Sequence, residues 1–157
     1  MKNRYLTSFI FFVIALVFLN AGIYYHFNKK IQNLNCVSEN LMKHGDIVIK
    51  AHYTFAVKEG TGIIKVNGVA KSAGKSFILN RQIFFTYEVL HSEYLLTSKK
   101  IIPFSNDRWL LSGVGIHYTK FFSEENQPLV LNIQKDQDDN FVISFNSTPT
   151  FYCINIK

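Results

Sequence analysis

The chain has 157 residues, 48% of them hydrophobic and 15% aromatic, and a formal net charge of +6. That length holds one membrane segment and one domain, and the apolar content excludes a disordered chain. Four of the basic residues, Lys2, Arg4, Lys29 and Lys30, flank an apolar stretch, while every acidic residue follows it from Glu39 onward. The net charge is therefore mostly a membrane-flank signal. The other basic residues are scattered along the sequence apart from Lys99-Lys100, which argues against direct nucleic-acid binding.

From Tyr5 to Asn28 there is no Lys, Arg, Asp or Glu, and Phe9 to Leu19 is continuously apolar. About 20 such residues in a helix rise roughly 30 Å, the thickness of the hydrocarbon core. The pattern predicts a transmembrane helix over residues 6–27 behind a short cytoplasmic tail, residues 1–5. Tyr5 and Tyr24-Tyr25 mark its two interfaces. The competing reading is a cleaved signal peptide. A cut after Ala21 leaves Leu19 at the −3 position, where a small residue is needed, so the uncleaved anchor is preferred. The folded part then lies in the bacterial periplasm, with inner-membrane lipid around the anchor.

Residues 28–44 read as a juxtamembrane connector that continues into a short helix near Ser38–Lys43, and residues 45–157 as a periplasmic β domain. Cys36 and Cys153 stand at the two ends of this region, too far apart in sequence for a CxxC or zinc pattern. One bridge between them would tie the domain ends together, closing a loop worth about 4–5 kcal/mol in the chain-entropy model. The alternative is two unconnected buried thiols. A disulfide fits an oxidising compartment.

From Ile47 the pattern has period two. Ile47, Ile49, Ala51, Tyr53, Phe55 and Val57 share one face of a strand that ends at the turn Glu59-Gly60-Thr61-Gly62. Ile64, Val66, Gly68 and Ala70 define a second strand, closed by Ala73-Gly74. The third carries Phe77, Leu79, Arg81, Ile83 and Phe85 on one face, so Arg81 points inward. There it either pairs with a buried carboxylate or signals a slipped register. After the corner His91-Ser92 comes a fourth strand, Tyr94 to Ile102, ended by Pro103. Asn106 or Asp107 is placed to cap a short helical turn through Trp109-Leu110-Leu111, which Gly113 and Gly115 interrupt. Strands at Leu129–Gln134 and Phe141–Phe145 follow, joined by Lys135-Asp136-Gln137-Asp138-Asp139-Asn140. That acidic run lacks the Gly and terminal Glu of a calcium loop, so it reads as a solvated hairpin tip. The fold class is mainly β, either an antiparallel meander sheet or a small lipocalin-like barrel.

No nucleophile elbow, P-loop, dinucleotide fingerprint or paired-histidine helix occurs, so no enzyme activity, catalytic residue, cofactor or metal is expected. His26 falls at the membrane interface. His44, His52, His91 and His117 are scattered and form no constellation, although one or two could titrate as a pH sensor. The sequon Asn146-Ser147-Thr148 is discounted because the compartment is bacterial.

Phe77-Ile78-Leu79-Asn80-Arg81 with Phe84-Phe85-Thr86-Tyr87, then Tyr94-Leu95-Leu96 with Lys99-Lys100-Ile101, and the ending Pro149-Thr150-Phe151-Tyr152-Cys153 resemble the FidL-like proteins. These are small inner-membrane proteins, to which the fimbrial regulators MyfF and PsaF are similar. The likeness covers residues 45–153 and the anchor layout. It departs at Trp109–Tyr118, where two glycines replace a short helix. The resemblance implies an accessory that binds and stabilises a membrane-bound, ToxR-like winged-helix regulator through the regulator's periplasmic domain. Alternatives are a sensor of pH or of an amphipathic, bile-salt-like molecule in an aromatic-lined barrel, and an assembly factor for surface fibres.

Overall fold

Eight strands form in chain order: β1 (Asn33–His44), β2 (Ile47–Lys58), β3 (Thr61–Ser72), β4 (Lys75–Leu90), β5 (Glu93–Pro103), β6 (Pro128–Lys135), β7 (Phe141–Phe145) and β8 (Thr148–Asn155). Each pairs antiparallel with its successor, and β1 also pairs with β8, closing a barrel in up-and-down order. Closure brings the first and last strands together, so the two sheet edges meet at one seam. The computed structural model describes residues 12–20, 22, 33–116, 118–145 and 148–156. The chain divides into two units, residues 1–30 and 31–157.

In the first unit, residues 12–20 are helical and the Asn20 side-chain amide donates to the Leu16 carbonyl at 2.8 Å. No helix among the described residues is long and apolar enough to cross a membrane. The rest of the expected span 6–27, the tail 1–5 and residues 28–32 of the expected connector lie outside the described residues.

In the second unit the period-two readings of β2 to β4 hold. Ile49, Ala51, Tyr53 and Phe55 are buried on β2, Ile64, Val66 and Ala70 on β3, and Leu79, Arg81, Ile83 and Phe85 on β4. The turn Ala73-Gly74 takes positive φ at both residues, 48° and 73°, the type I′ pattern whose twist matches a two-residue hairpin. On β3, a Cβ on Gly68 would run into the Lys50 carbonyl oxygen and Ala51, so glycine permits the close approach of two neighbouring backbones.

Two strands lie beyond the alternation read from sequence. The expected connector and helix near Ser38–Lys43 is a strand instead. From Asn33 to His44, β1 pairs along its whole length with β2, and Leu34, Cys36 and Ser38 are buried. Ladder pairing satisfies backbone groups that a short helix would leave open at its ends. At the other end, β8 buries Phe151 and Cys153.

Strand direction sorts the connections onto two rims. One rim holds Asn33, the β2–β3 and β4–β5 turns, the β6–β7 tip and Asn155. The other holds the β1–β2 and β3–β4 turns and the long β5–β6 excursion, residues 104–127. The excursion makes three 3-10 turns, Trp109–Leu111, Val114–Ile116 and Lys120–Phe122. It turns Trp109, Val114, Phe121 and Phe122 into the core and so plugs its rim. Its path is fixed by backbone bonds to β4, Phe104 N to Asn80 O at 3.0 Å and Arg108 N to Ile78 O at 2.7 Å.

Candidate functional site

The barrel interior is filled by side chains. Tyr53, Phe55 and Phe151 form one ring cluster, with centroids 4.7–6.4 Å apart. Trp109, Tyr118, Phe121 and Phe122 form another beneath the plug. The two clusters meet at the Tyr53 and Tyr118 hydroxyls, 2.5 Å apart. Burial pushes both phenols above their usual range.

Arg81 points inward as its strand position predicts, and its partner is Asp107. Their side chains are 4% and 3% exposed and form an ion pair at 2.5 Å. The guanidinium also donates to the Phe122 carbonyl at 2.9 Å and lies 4.5 Å over the Trp109 ring. Asp107 further accepts the Asn80 N–H at 2.7 Å. It is therefore not the helix cap expected from sequence. The residue at the cap position is Arg108, and no side chain bonds there. These groups fasten the excursion to β4 and are structural.

The cysteines are bridged. Cys36 on β1 and Cys153 on β8 form a disulfide with Cα atoms 5.4 Å apart across a separation of 117 residues. The seam they clasp carries only two ladder pairs, Cys36–Asn155 and Val37–Ile154. It is supplemented by Ile156 N to Asn35 O at 2.8 Å and by the Asn40 side chain to Thr150 O at 2.8 Å.

Outside this seam Val37, Tyr152, Ile154 and Ile156 are exposed, Tyr152 by 52% and Ile154 by 56%. Tyr152 is nevertheless held in place. Its hydroxyl donates to Asp136 at 2.8 Å and accepts from the Asn140 amide at 2.9 Å. Asp136 in turn accepts the backbone N–H groups of Asp138 and Asn140. The bond from Tyr152 holds the Asp136 carboxyl below the usual carboxylate range and pushes the Tyr152 phenol up. The acidic tip thus orders its own turn and orients an aromatic side chain that faces outward beside three aliphatic ones. Oriented aromatic anchors of this kind dominate protein contacts.

The histidines are not brought together. His44 lies at the plugged rim, His52 on the outer face of β2, and His91 in the β4–β5 turn at the opposite rim with a φ of 58°. His117 lies outside the described residues. Among the described residues no three His, Cys, Asp or Glu are grouped to hold a metal. A shallow open depression of about 690 Å³ lies at the rim where β1 begins, lined among others by Leu34, Val57, Asn35, Lys58 and Asn155.

The seam patch escaped sequence reading because its apolar residues alternate with buried ones, so the whole run looks like core. Comparison with curated proteins and with solved structures gives no match. The family model of the YqeJ C-terminal domain matches residues 32–153, from the residue before β1 to the second cysteine of the clasp, and the chain belongs to that family.

Proposed function

We propose that the protein is a membrane-anchored periplasmic accessory that binds and stabilises a membrane-bound, ToxR-like transcriptional regulator through that regulator's periplasmic domain. The observation that carries this reading is the exposed Tyr152, Ile154, Val37 and Ile156 patch on a disulfide-clasped seam. It offers an oriented aromatic anchor and aliphatic neighbours without catalytic groups beside it. Support also comes from the disulfide, which fits an oxidising compartment, from the apolar segment within residues 6–27, and from the resemblance to FidL-like proteins. Binding the folded regulator stabilises it by mass action, and a shared membrane raises the effective concentration.

The test is a pull-down of tagged full-length protein from native membranes. The expected result is recovery of a single-span winged-helix regulator, with Tyr152→Ala and Ile154→Ser together weakening the complex about tenfold or more. Recovery of no such regulator, with its level and target transcription unchanged on deletion, would refute the reading.

The rim depression supports a second reading, uptake of an amphipathic small molecule. The aromatic-filled interior directs such a ligand to the rim. Calorimetry with bile salts checks it, and absence of heat with the wild-type protein removes it.

A further inference from the structure

The most exposed apolar side chains of the barrel stand on one arc of its plugged rim. Leu110 is 83% exposed and Leu111 70%, side by side on the 3-10 turn that follows Arg108. Trp109 is buried under the same turn against the Arg81 guanidinium, so the two leucines project from a packed base. On one side the turn is fastened to β4, where Arg108 N donates to Ile78 O at 2.7 Å. On the other it reaches β2, since a Cβ on Gly113 would stand 3.9 Å from the Ile47 side chain. Ile78 belongs to a row of outward residues across four strands, Leu41, Lys50, Val69 and Ile78, and the three apolar ones are exposed.

The charges on this arc are mostly positive. Lys43 and Lys71 lie in the next row with Val48 and Ser76, Lys75 begins β4, and Arg108 leads into the leucine turn. Among the described residues none of these four forms an ion pair. Lys50 is paired with Glu39 at 2.8 Å, and Asp46 in the β1–β2 turn is the other carboxylate of the arc. Asp107 is committed to Arg81 in the interior. Glu124 and Glu125 belong to the same excursion but lie on the β5 side of the rim. There Ser98 Oγ donates to Glu124 O at 2.7 Å and Asn126 N to Ser98 O at 2.7 Å. Glu124 is paired with Lys120, and Lys99 and Lys100 follow Ser98 on β5, so that arc is mixed. The β1–β4 arc alone sets a cationic margin around an apolar centre.

Three occupants fail to match both features. On the anchored reading the chain enters the barrel at Asn33 on the opposite rim, and β1 runs 12 residues, about 40 Å along the strand, before it reaches this one. The anchoring bilayer is then at the other end. A second copy of this chain would set the same cations against themselves. A nucleic acid or other simple polyanion would engage the cations and leave the leucines in water. An acidic polypeptide segment with apolar residues satisfies both features, and an apolar centre inside a charged margin is the anatomy of a protein interface. We propose that this arc docks an acidic amphipathic segment of a partner protein. The segment's apolar side chains lie on Leu110, Leu111, Ile78 and Val69, and its carboxylates meet Lys43, Lys71, Lys75 and Arg108. The arc is separate from the seam patch, so failure here leaves the regulator reading standing; only the exclusion of lipid rests on the anchored reading.

Full-length protein in phosphatidylcholine nanodiscs is titrated into a fluorescent synthetic peptide of about 18 residues with leucine along one helical face and glutamate along the other. A counterpart with lysine in place of glutamate is the control. Fluorescence anisotropy reports binding of the glutamate peptide, none of the lysine peptide, and release at about 0.5 M salt. Lys71→Gln with Lys75→Gln weakens binding about fivefold. Leu110→Ser with Leu111→Ser weakens it about thirtyfold or more. Unaltered emission from Trp109, the single tryptophan of the chain, shows that each variant keeps its fold. No binding of the glutamate peptide, equal binding of both peptides, or wild-type affinity in the leucine variant overturns the proposal. So does polyglutamate that binds as tightly as the amphipathic peptide. In native membranes a photo-crosslinker at position 111 joins to an acidic stretch of another protein, and a lipid adduct or a second copy of this chain in its place also overturns it.

Discussion

Tyr53 shows how much one hydroxyl constrains this barrel. It is fully buried, and the Tyr118 hydroxyl is its partner. Burial raises both phenols above their usual range, because a phenolate would lose water without gaining a counter-charge. A raised folded pKa means that the folded state keeps its proton longer than the unfolded chain does. Stability from this source is therefore complete below about pH 10 and is lost as pH rises past it. Each phenol still protonated in the fold costs about 1.4 kcal/mol per pH unit in that window. Urea unfolding between pH 8 and pH 11 should show this fall, and Tyr53→Phe with Tyr118→Phe should flatten it.

The element that depends most on a few side chains is the β5–β6 excursion, which has no sheet ladder of its own. Ser98 bonds the Glu124 carbonyl at 2.7 Å and accepts the Gln127 N–H at 2.9 Å at its far end. Arg81 and Asp107 hold its near end. Asp107→Ala leaves a guanidinium buried without its counter-charge, so thermal unfolding should report a loss of about 3–5 kcal/mol. Replacing both partners, Arg81→Met with Asp107→Leu, should recover much of it. The inward Arg81 is legible in sequence because β4 alternates cleanly around it, and that position demands a carboxylate somewhere. Which carboxylate is not legible, since Asp107 is distant in sequence and sits where a helix cap also fits. β1 hides for a related reason. Its inward positions include Ser38 and Asn40, so the apolar alternation that reveals β2 to β4 fades there. In β8, Pro149 and the outward Tyr152 and Ile154 blur the same signal. The depth to which Phe121 and Phe122 penetrate follows from no local period at all.

For the whole molecule the decisive link is the seam between the first and last strands. Two ladder pairs, two further hydrogen bonds and one disulfide hold the ring shut. Cys36→Ser with Cys153→Ser should lower unfolding stability by about 4–5 kcal/mol, the chain-entropy value for a loop of this length. Amide exchange should rise first in β1 and β8, because the neighbouring hairpins β2–β3 and β3–β4 keep their full ladders. A chain that leaves the ribosome from its N-terminus can zip hairpin after hairpin, yet β1 waits with one side open until residues 148–155 arrive. A stop codon in place of Thr148 would remove that final partner and its cysteine together, so the codons of β8 matter as much as those of the core.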